Sequence, residues 1–438
     1  MTVILFKKYY LAEGMNGHSI EVSKTSGGIP VVIENIPGSE SAAYMIGVAT
    51  GSRDETEDIF GLSHLLEHTV FRETKTMDSY QMAKEIEGAG GELNAFTGRE
   101  MTAFYGITIK ETADVARRIV GDIVANPLIN EKATELEKKI VLQELSMIKN
   151  EPDRYIHDLY ETVLWRGHEL AQDEGGDEKL VAKMTFEDLR KYYDEKYLIP
   201  NLSVYAVGSI DADETVAWAE ETLDGMTGGK RNIRTEPPMP EGKYEFVTND
   251  SDHYQVAMGF PSYGSSHKDR TAMAMLSAIL GSGTSSRLFN DVREKKALVY
   301  SIFTSISQNS DASSLTTFMS CTKENVIEAM ETSSKVIGNL LKDGLEKGEL
   351  DRAKRLVKGA NVRAMESTDN RLYRLGVNHM LNGSTETLEQ RLAKIDAVTE
   401  DDVMRVANDL LKFDRMNTVV LGKNNRALKK YDSNKLSF

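Results

Sequence analysis

At 438 residues the chain exceeds what one hydrophobic core usually organises, so two domains of about 200 residues each are expected. Its 53 basic and 68 acidic residues leave a formal net charge of -15, which excludes the basic face that a nucleic-acid partner requires. A single cysteine, Cys321, excludes a disulfide framework or a thiolate metal cluster within one chain and suits a reducing compartment.

The opening MTVILFKKYYLAEG has only a short apolar stretch before Lys7 and Lys8, too brief for a secretory segment. No run of about 18 apolar residues follows, so no membrane span is expected. The expectation is a soluble, cytoplasmic protein with neither nucleic acid nor membrane as partner.

In chain order, HSIEVSKT (18–25), PVVIEN (30–35) and AAYMIGVAT (42–50) read as strands separated by turns at Gly27-Gly28 and Pro37-Gly38. Helical periodicity follows at 61–70, 79–89 and 111–125, then over a long stretch at 130–149. Between them GELNAFTGREMTAFYGIT (91–108) reads as two strands around Thr97-Gly98. A helix at 185–194 leads into the apolar strand NLSVYAVG (201–208). The run DGMTGGKRNIRTEPPMPEG (224–242) carries three of the nine prolines and reads as a linker.

The second half repeats the plan. HYQVAMGFP (253–261) has the character of AAYMIGVAT, and RTAMAMLSAIL follows it as a helix. SLTTFMSCT (313–321) is a strand, a long helix spans 347–366, and NTVVLGK (417–423) closes the half as NLSVYAVG closes the first. KMTFEDLRKYYDEKY (183–197) and AVTEDDVMRVANDLL (397–411) share a threonine followed by acidic residues, a helix-start signature. An internal duplication accounts for these echoes. The expected fold is therefore α+β: two homologous mixed α/β domains, each a mainly antiparallel sheet packed with helices. The boundaries are 1–224, a linker at 225–242, and 243–438.

GLSHLLEHTVF (61–71) places His64, Glu67 and His68 on one side of a short helix. Two imidazoles one turn apart can grip one zinc ion, with the intervening carboxylate beside a metal-activated water. This is the inverted zinc-peptidase motif. A catalytic zinc needs a third protein ligand, and ELEKKIVLQELSMIKN (135–150) offers Glu144, with Glu137 two turns earlier on the same face. Ile140, Val141, Met147 and Ile148 are read as the buried apolar stripe beside them. A carboxylate there costs free energy unless it is paired or ligates a metal, so Glu144 is the candidate ligand. Glu137 is the candidate partner of a ligand histidine. GSGTSS (281–286) lacks the lysine of a phosphate loop and reads as a turn starting a helix. No nucleophile-elbow or dinucleotide motif occurs. Taken by themselves, Arg293 is an ordinary solvated helix residue and Tyr300 a strand core residue.

These motifs, with GGELNAFTGREMTAFY, KKIVLQEL and GSGTSSRLFNDVREKKALVYS, resemble the pitrilysin, insulin-degrading enzyme and mitochondrial processing peptidase family, most nearly its short prokaryotic members. The likeness runs from PVVIENIPG to NTVVLGK. It implies a zinc metalloendopeptidase acting on extended or unfolded peptides. His64, His68 and Glu144 would hold one Zn2+ per chain, Glu67 would be the general base, and Glu137 the additional glutamate near the metal. Asn94, Ala95 and Phe96 match the edge that receives a peptide by strand addition, and Arg293 and Tyr300 match a pair lent by the second half. The resemblance further implies two domains facing each other around a chamber, and a homodimer. The competing readings are a non-catalytic binding or structural member and a specific leader-peptide processing peptidase. GHELAQDEGGDEKL (167–180) departs from the family's usual segment by its acidity, which bears on substrate preference.

Overall fold

The computed structural model describes residues 9–13 and 18–436. It contains two sheets. The first is built from β1 (Tyr9–Glu13), β2 (Ser19–Lys24), β3 (Pro30–Asn35), β4 (Ser41–Val48), β5 (Glu92–Thr97), β6 (Thr102–Ile109) and β7 (Leu202–Gly208). Their order across the sheet is β1-β2-β3-β7-β4-β6-β5. The second contains β8 (Tyr244–Thr248), β9 (Tyr254–Tyr263), β10 (Ser301–Ile306), β11 (Ala312–Cys321) and β12 (Asn417–Gly422), ordered β10-β11-β9-β12-β8.

The two topologies correspond strand for strand. β3 pairs parallel with β7, and β8 pairs parallel with β12. Every other pairing is antiparallel: β7–β4–β6–β5 in one sheet and β12–β9–β11–β10 in the other. The same five-strand pattern thus occurs twice, with β1 and β2 added to the first copy. Each copy also ends a helix-to-strand passage alike. The helices Phe186–Lys196 and Glu400–Leu410 start on Thr185 and Thr399, whose hydroxyls accept from the backbone of Asp188 and Asp402 in matching capping boxes.

The chain divides into two compact units, and they are not the contiguous halves expected from sequence. One comprises the chain up to Leu145 with Gln172–Arg234 and Val362–Arg391; the other comprises Ser146–Ala171, Thr235–Asn361 and the chain from Leu392. The reason is that each sheet has two apolar faces to cover. In the first unit Leu372, Leu375 and Met380 of the Thr368–Asn382 helix pack on Ala43, Met45, Tyr205 and Val207. In the second, Ile156, Tyr160, Val163 and Leu164 of the Pro152–Leu164 helix pack on Ala257, Phe318, Val419 and Leu421. Each half of the chain therefore supplies one helix to the other unit. Residues 227–243 form no helix or strand, and the passage between units falls inside them, at Arg234 and Thr235. Arg234 is anchored: its Nη2 donates to Asp54 at 2.7 Å and to the Glu100 carbonyl at 2.8 Å.

Thr185→Ala and Thr399→Ala should each cost about 0.5–2 kcal/mol, the usual loss on removing an N-cap hydroxyl. Because the two caps belong to different units, native-state hydrogen exchange should show each loss confined to its own unit.

Candidate metal centre

The short helix Leu62–Val70 carries His64, Glu67 and His68, and three features fix its start. Gly61 takes a left-handed φ of 101°, and a Cβ there would stand 2.7 Å from Val181 Cγ2. Gly176, itself at φ 88°, packs its backbone against Gly61, so the acidic segment's Gly175-Gly176 pair serves as the floor of this turn. The buried Glu55 carboxylate accepts from Gly61 N at 2.8 Å and from Ser63 N at 2.5 Å, meeting free amides at the positive end of the helix. Burial pushes the Glu55 carboxyl up to about 7, against the pull of the Ser63 and Gly61 amides. Leu62, Leu65, Leu66, Thr69 and Val70 are buried, which turns the histidines and Glu67 to the opposite side.

The long helix Glu131–Asn150 brings Glu137 and Glu144 alongside. Its buried residues are Ala133, Thr134, Glu137, Lys138, Val141 and Leu145. This corrects the expected stripe: Ile140 is 37% and Met147 62% exposed. The helix rolls so that the two glutamates border the site, with Glu137 on the buried side and Glu144 half open at 35% side-chain exposure.

Ligand atoms of His64, His68 and Glu144 all lie within 4.8 Å of one another. Glu144 Oε2 stands 3.8 Å from His64 Nε2 and 3.5 Å from His68 Nε2, and the two imidazole rings meet edge-on at 4.8 Å. Ligands held at the usual zinc distances are separated by about 3.3 Å in a tetrahedral site. The donor set of two nitrogens and one oxygen thus fits a divalent metal with little movement. His68 Nδ1 lies 3.0 Å from Glu137 Oε2, which leaves Nε2 facing Glu144. Arg72 Nε donates to the other oxygen of Glu137.

The electrostatics separate the two histidines. Burial pulls the His64 imidazole down to about 4, aided by His68, so it is neutral at pH 7. Burial acts downward on His68 as well, but its hydrogen bonds to Glu137 and Glu144 overcome that and raise it to about 9. Glu137 is held below the usual carboxylate range: burial acts upward, and the hydrogen bonds from His68 and Arg72 prevail. Burial raises Glu67, and the hydroxyl of Thr97, which donates to Glu67 Oε2, opposes it.

Thr97 ends β5, the strand of Asn94, Ala95 and Phe96, and β5 lies at the edge of its sheet with β6 on one side. Leu93 and Ala95 pack towards the core beside the histidine helix, while Phe96 turns to the other face and meets the Tyr373 ring at 5.2 Å. The acidic segment also contributes Glu174, which accepts from Arg99 Nη1 at 2.9 Å. Arg293 and Tyr300 belong to the second unit. Arg293 lies in the π-helical turn Phe289–Glu294, its guanidinium 4.7 Å from the Phe289 ring and 6.0 Å from the Tyr300 ring. Tyr300 is 80% exposed, not the core residue its strand-like surroundings suggested, because β10 begins one residue later at the sheet edge. Glu55, Thr97 as a partner of Glu67, and Arg72 were not read from sequence. Only the return of Arg72 one turn after His68 hinted at the last.

A mixed α/β protein of two topologically alike units, one bearing a His-His-Glu centre, defines a class of metal-site folds that comparisons make specific. Residues 30–177 match the family model described as insulinase (peptidase family M16), and residues 183–357 match that of the peptidase M16 inactive domain. The chain is 30% identical over 423 residues to an uncharacterized zinc protease of Mycobacterium leprae, covering 94% of each chain. It is 29% identical over 387 residues to the uncharacterized zinc protease YmxG of Bacillus subtilis, covering 88% of this chain and 94% of the relative. A protease from Helicobacter pylori of known crystal structure shares the fold with a TM-score of 0.85 at 22% identity, over 92% of this chain and 99% of that one. The chain belongs to the M16 peptidase family.

In the folded protein Glu55 keeps its proton up to about pH 7, whereas the unfolded chain releases it near 4.5. Between those values the native state binds the extra proton, so stability falls as pH rises, by about 1.4 kcal/mol per unit. Urea unfolding of the metal-free protein should show wild type losing about 3 kcal/mol relative to Glu55→Gln from pH 4.5 to 7. A gap that does not change with pH would place the Glu55 proton elsewhere.

Proposed function

We propose that this protein is a zinc metalloendopeptidase that hydrolyses extended or unfolded peptides. The observation that carries the reading is the convergence of His64, His68 and Glu144 ligand atoms within 4.8 Å, with Glu67 on the same short helix. The relatives' description as zinc proteases supports zinc as the metal and peptides as the substrate. One ion per chain would be held by His64 Nε2, His68 Nε2 and a Glu144 oxygen, and when bound it supplies Lewis acidity towards a water and a peptide carbonyl.

The chain's own residues do the rest. Glu67 accepts the proton of the attacking water and returns it to the leaving amine. Its burial keeps the carboxylate poorly solvated and therefore basic, while Thr97 holds one oxygen so that the other faces the site. A substrate adds as a strand to β5 along Asn94–Phe96, with main-chain hydrogen bonds supplying affinity and only alternate side chains read. That mode admits unfolded segments and rejects folded ones, whose backbone is already paired. Since Thr97 ends the same strand, the docked peptide and the base share one rigid element. Stabilising the oxyanion is assigned to Tyr300 and Arg293 on the family resemblance; Tyr300 is exposed, and the Arg293 guanidinium lies 6.0 Å from its ring.

Glu67→Gln should abolish cleavage of a quenched, unstructured peptide library, by at least about 100-fold, while binding zinc as wild type does. Metal content measured beside activity separates loss of the base from loss of the ion. A zinc-loaded wild type that cleaves nothing would leave a peptide-binding member without chemistry.

Ala95→Pro removes a backbone donor that points away from β6, where it now meets the Asn94 side chain at 2.8 Å, and should raise KM with little change in kcat. Steady-state kinetics on one defined peptide checks it. An unchanged KM would remove the free edge of β5 from substrate binding.

A further inference from the structure

We propose that Arg72 is a positioning residue for the metal centre, acting on His68 through Glu137. The inference rests on the metal reading above and extends it by one residue. Arg72 Nε donates to Glu137 Oε1, and Glu137 Oε2 lies 3.0 Å from His68 Nδ1, so both carboxylate oxygens are engaged, each from a different direction. Glu137 is only 3% exposed. A carboxylate so buried, held by a single hydrogen bond, would be free to rotate about its last torsion and would carry a charge without sufficient compensation.

Arg72 is well placed to prevent both. It lies just beyond the histidine helix, where its own N–H donates to Thr69 O at 3.1 Å and its carbonyl accepts from Ser79 N at 2.9 Å. Those two bonds fix the backbone from which the guanidinium reaches back to Glu137. With Oε1 held by Arg72, Glu137 keeps Oε2 aimed at Nδ1, which holds the His68 ring with Nε2 towards His64 and Glu144.

The test compares Arg72→Met, Arg72→Lys, Glu137→Gln and the Arg72→Met/Glu137→Gln double variant by zinc competition against a fluorescent chelator. It adds 15N-edited NMR of the His68 ring in the zinc-loaded proteins, a signal that general loss of stability does not move. Arg72→Met should weaken zinc about three- to tenfold, at or below the low end for a direct partner of a ligand histidine, and shift the His68 Nδ1–H signal. Arg72→Lys retains a cationic donor and should recover most of that loss. In the Glu137→Gln background Arg72→Met should change zinc affinity by less than about twofold, because the path through Glu137 is already cut. Unchanged affinity and signal in Arg72→Met, failure of lysine to rescue, or losses that multiply in the double variant would each overturn the proposal. A wild type that binds no zinc would overturn the metal reading, and this inference with it, whereas a zinc-binding wild type with an inert Arg72→Met overturns this inference alone.

Discussion

The contact between His68 Nδ1 and Glu137 Oε2, at 3.0 Å, is the constraint around which the first unit's chemistry is arranged. It ties a nine-residue helix to a twenty-residue one, so that two imidazoles from the first and a carboxylate from the second converge. A helix of nine residues has little stability of its own, and its orientation must come from tertiary contacts. Those contacts act at both ends. Glu55 and the Gly61–Gly176 contact hold the start, while Glu137 with Arg72 holds the last turn. Buried glutamates thus do opposite jobs here. Glu55 accepts from helix amides, and Glu137 meets an imidazole nitrogen.

The sheet beneath imposes the second requirement. Both faces of each sheet are apolar, and helices from the same stretch of chain cover only one of them. The other is closed by Thr368–Asn382 in one unit and by Pro152–Leu164 in the other. Such an exchange makes neither half of the chain a self-sufficient folding piece, because each would leave a sheet face bare. It also places Tyr373 beside Phe96, so the face of β5 turned away from the histidine helix is aromatic. The peptide-binding edge proposed here therefore has a different chemistry on each side.

The five-strand pattern is duplicated, while among the described residues one group, in the first unit, has the spacing of a metal site. The second unit preserves the strand order, the parallel pair and the capping boxes, and among the described residues the only His/Cys/Asp/Glu group spaced for a metal is that of His64, His68 and Glu144. Architecture is held by burial and backbone pairing, which many side chains can serve. A metal centre needs particular atoms at particular distances, and it is lost with one or two substitutions while the fold persists.

Much of this was legible in the residues themselves. Strands at 30–35, 42–50 and 201–208, the helix pair with HxxEH and its distant glutamates, and the repeated plan follow from periodicity, turn residues and ligand spacing, which are local properties. Local properties reach only so far. Ile140 and Met147 share an apolar face with Val141 and Leu145 in the sequence, yet only Val141 and Leu145 turn inward, into the cluster that holds Leu62, Leu65 and Leu66. The contiguous domain boundary failed because periodicity tells which face of a helix is buried and never against which sheet. The partners of Thr97 and Arg72 are likewise invisible in the sequence, lying 30 and 65 residues away along the chain. Sequence by itself determined the elements and the HxxEH spacing of the histidine helix, because those depend on neighbours within a turn or a strand. Tertiary structure alone decided which helix closes which sheet and which groups orient the ligands, because those contacts join segments whose spacing in the chain carries no record of their meeting.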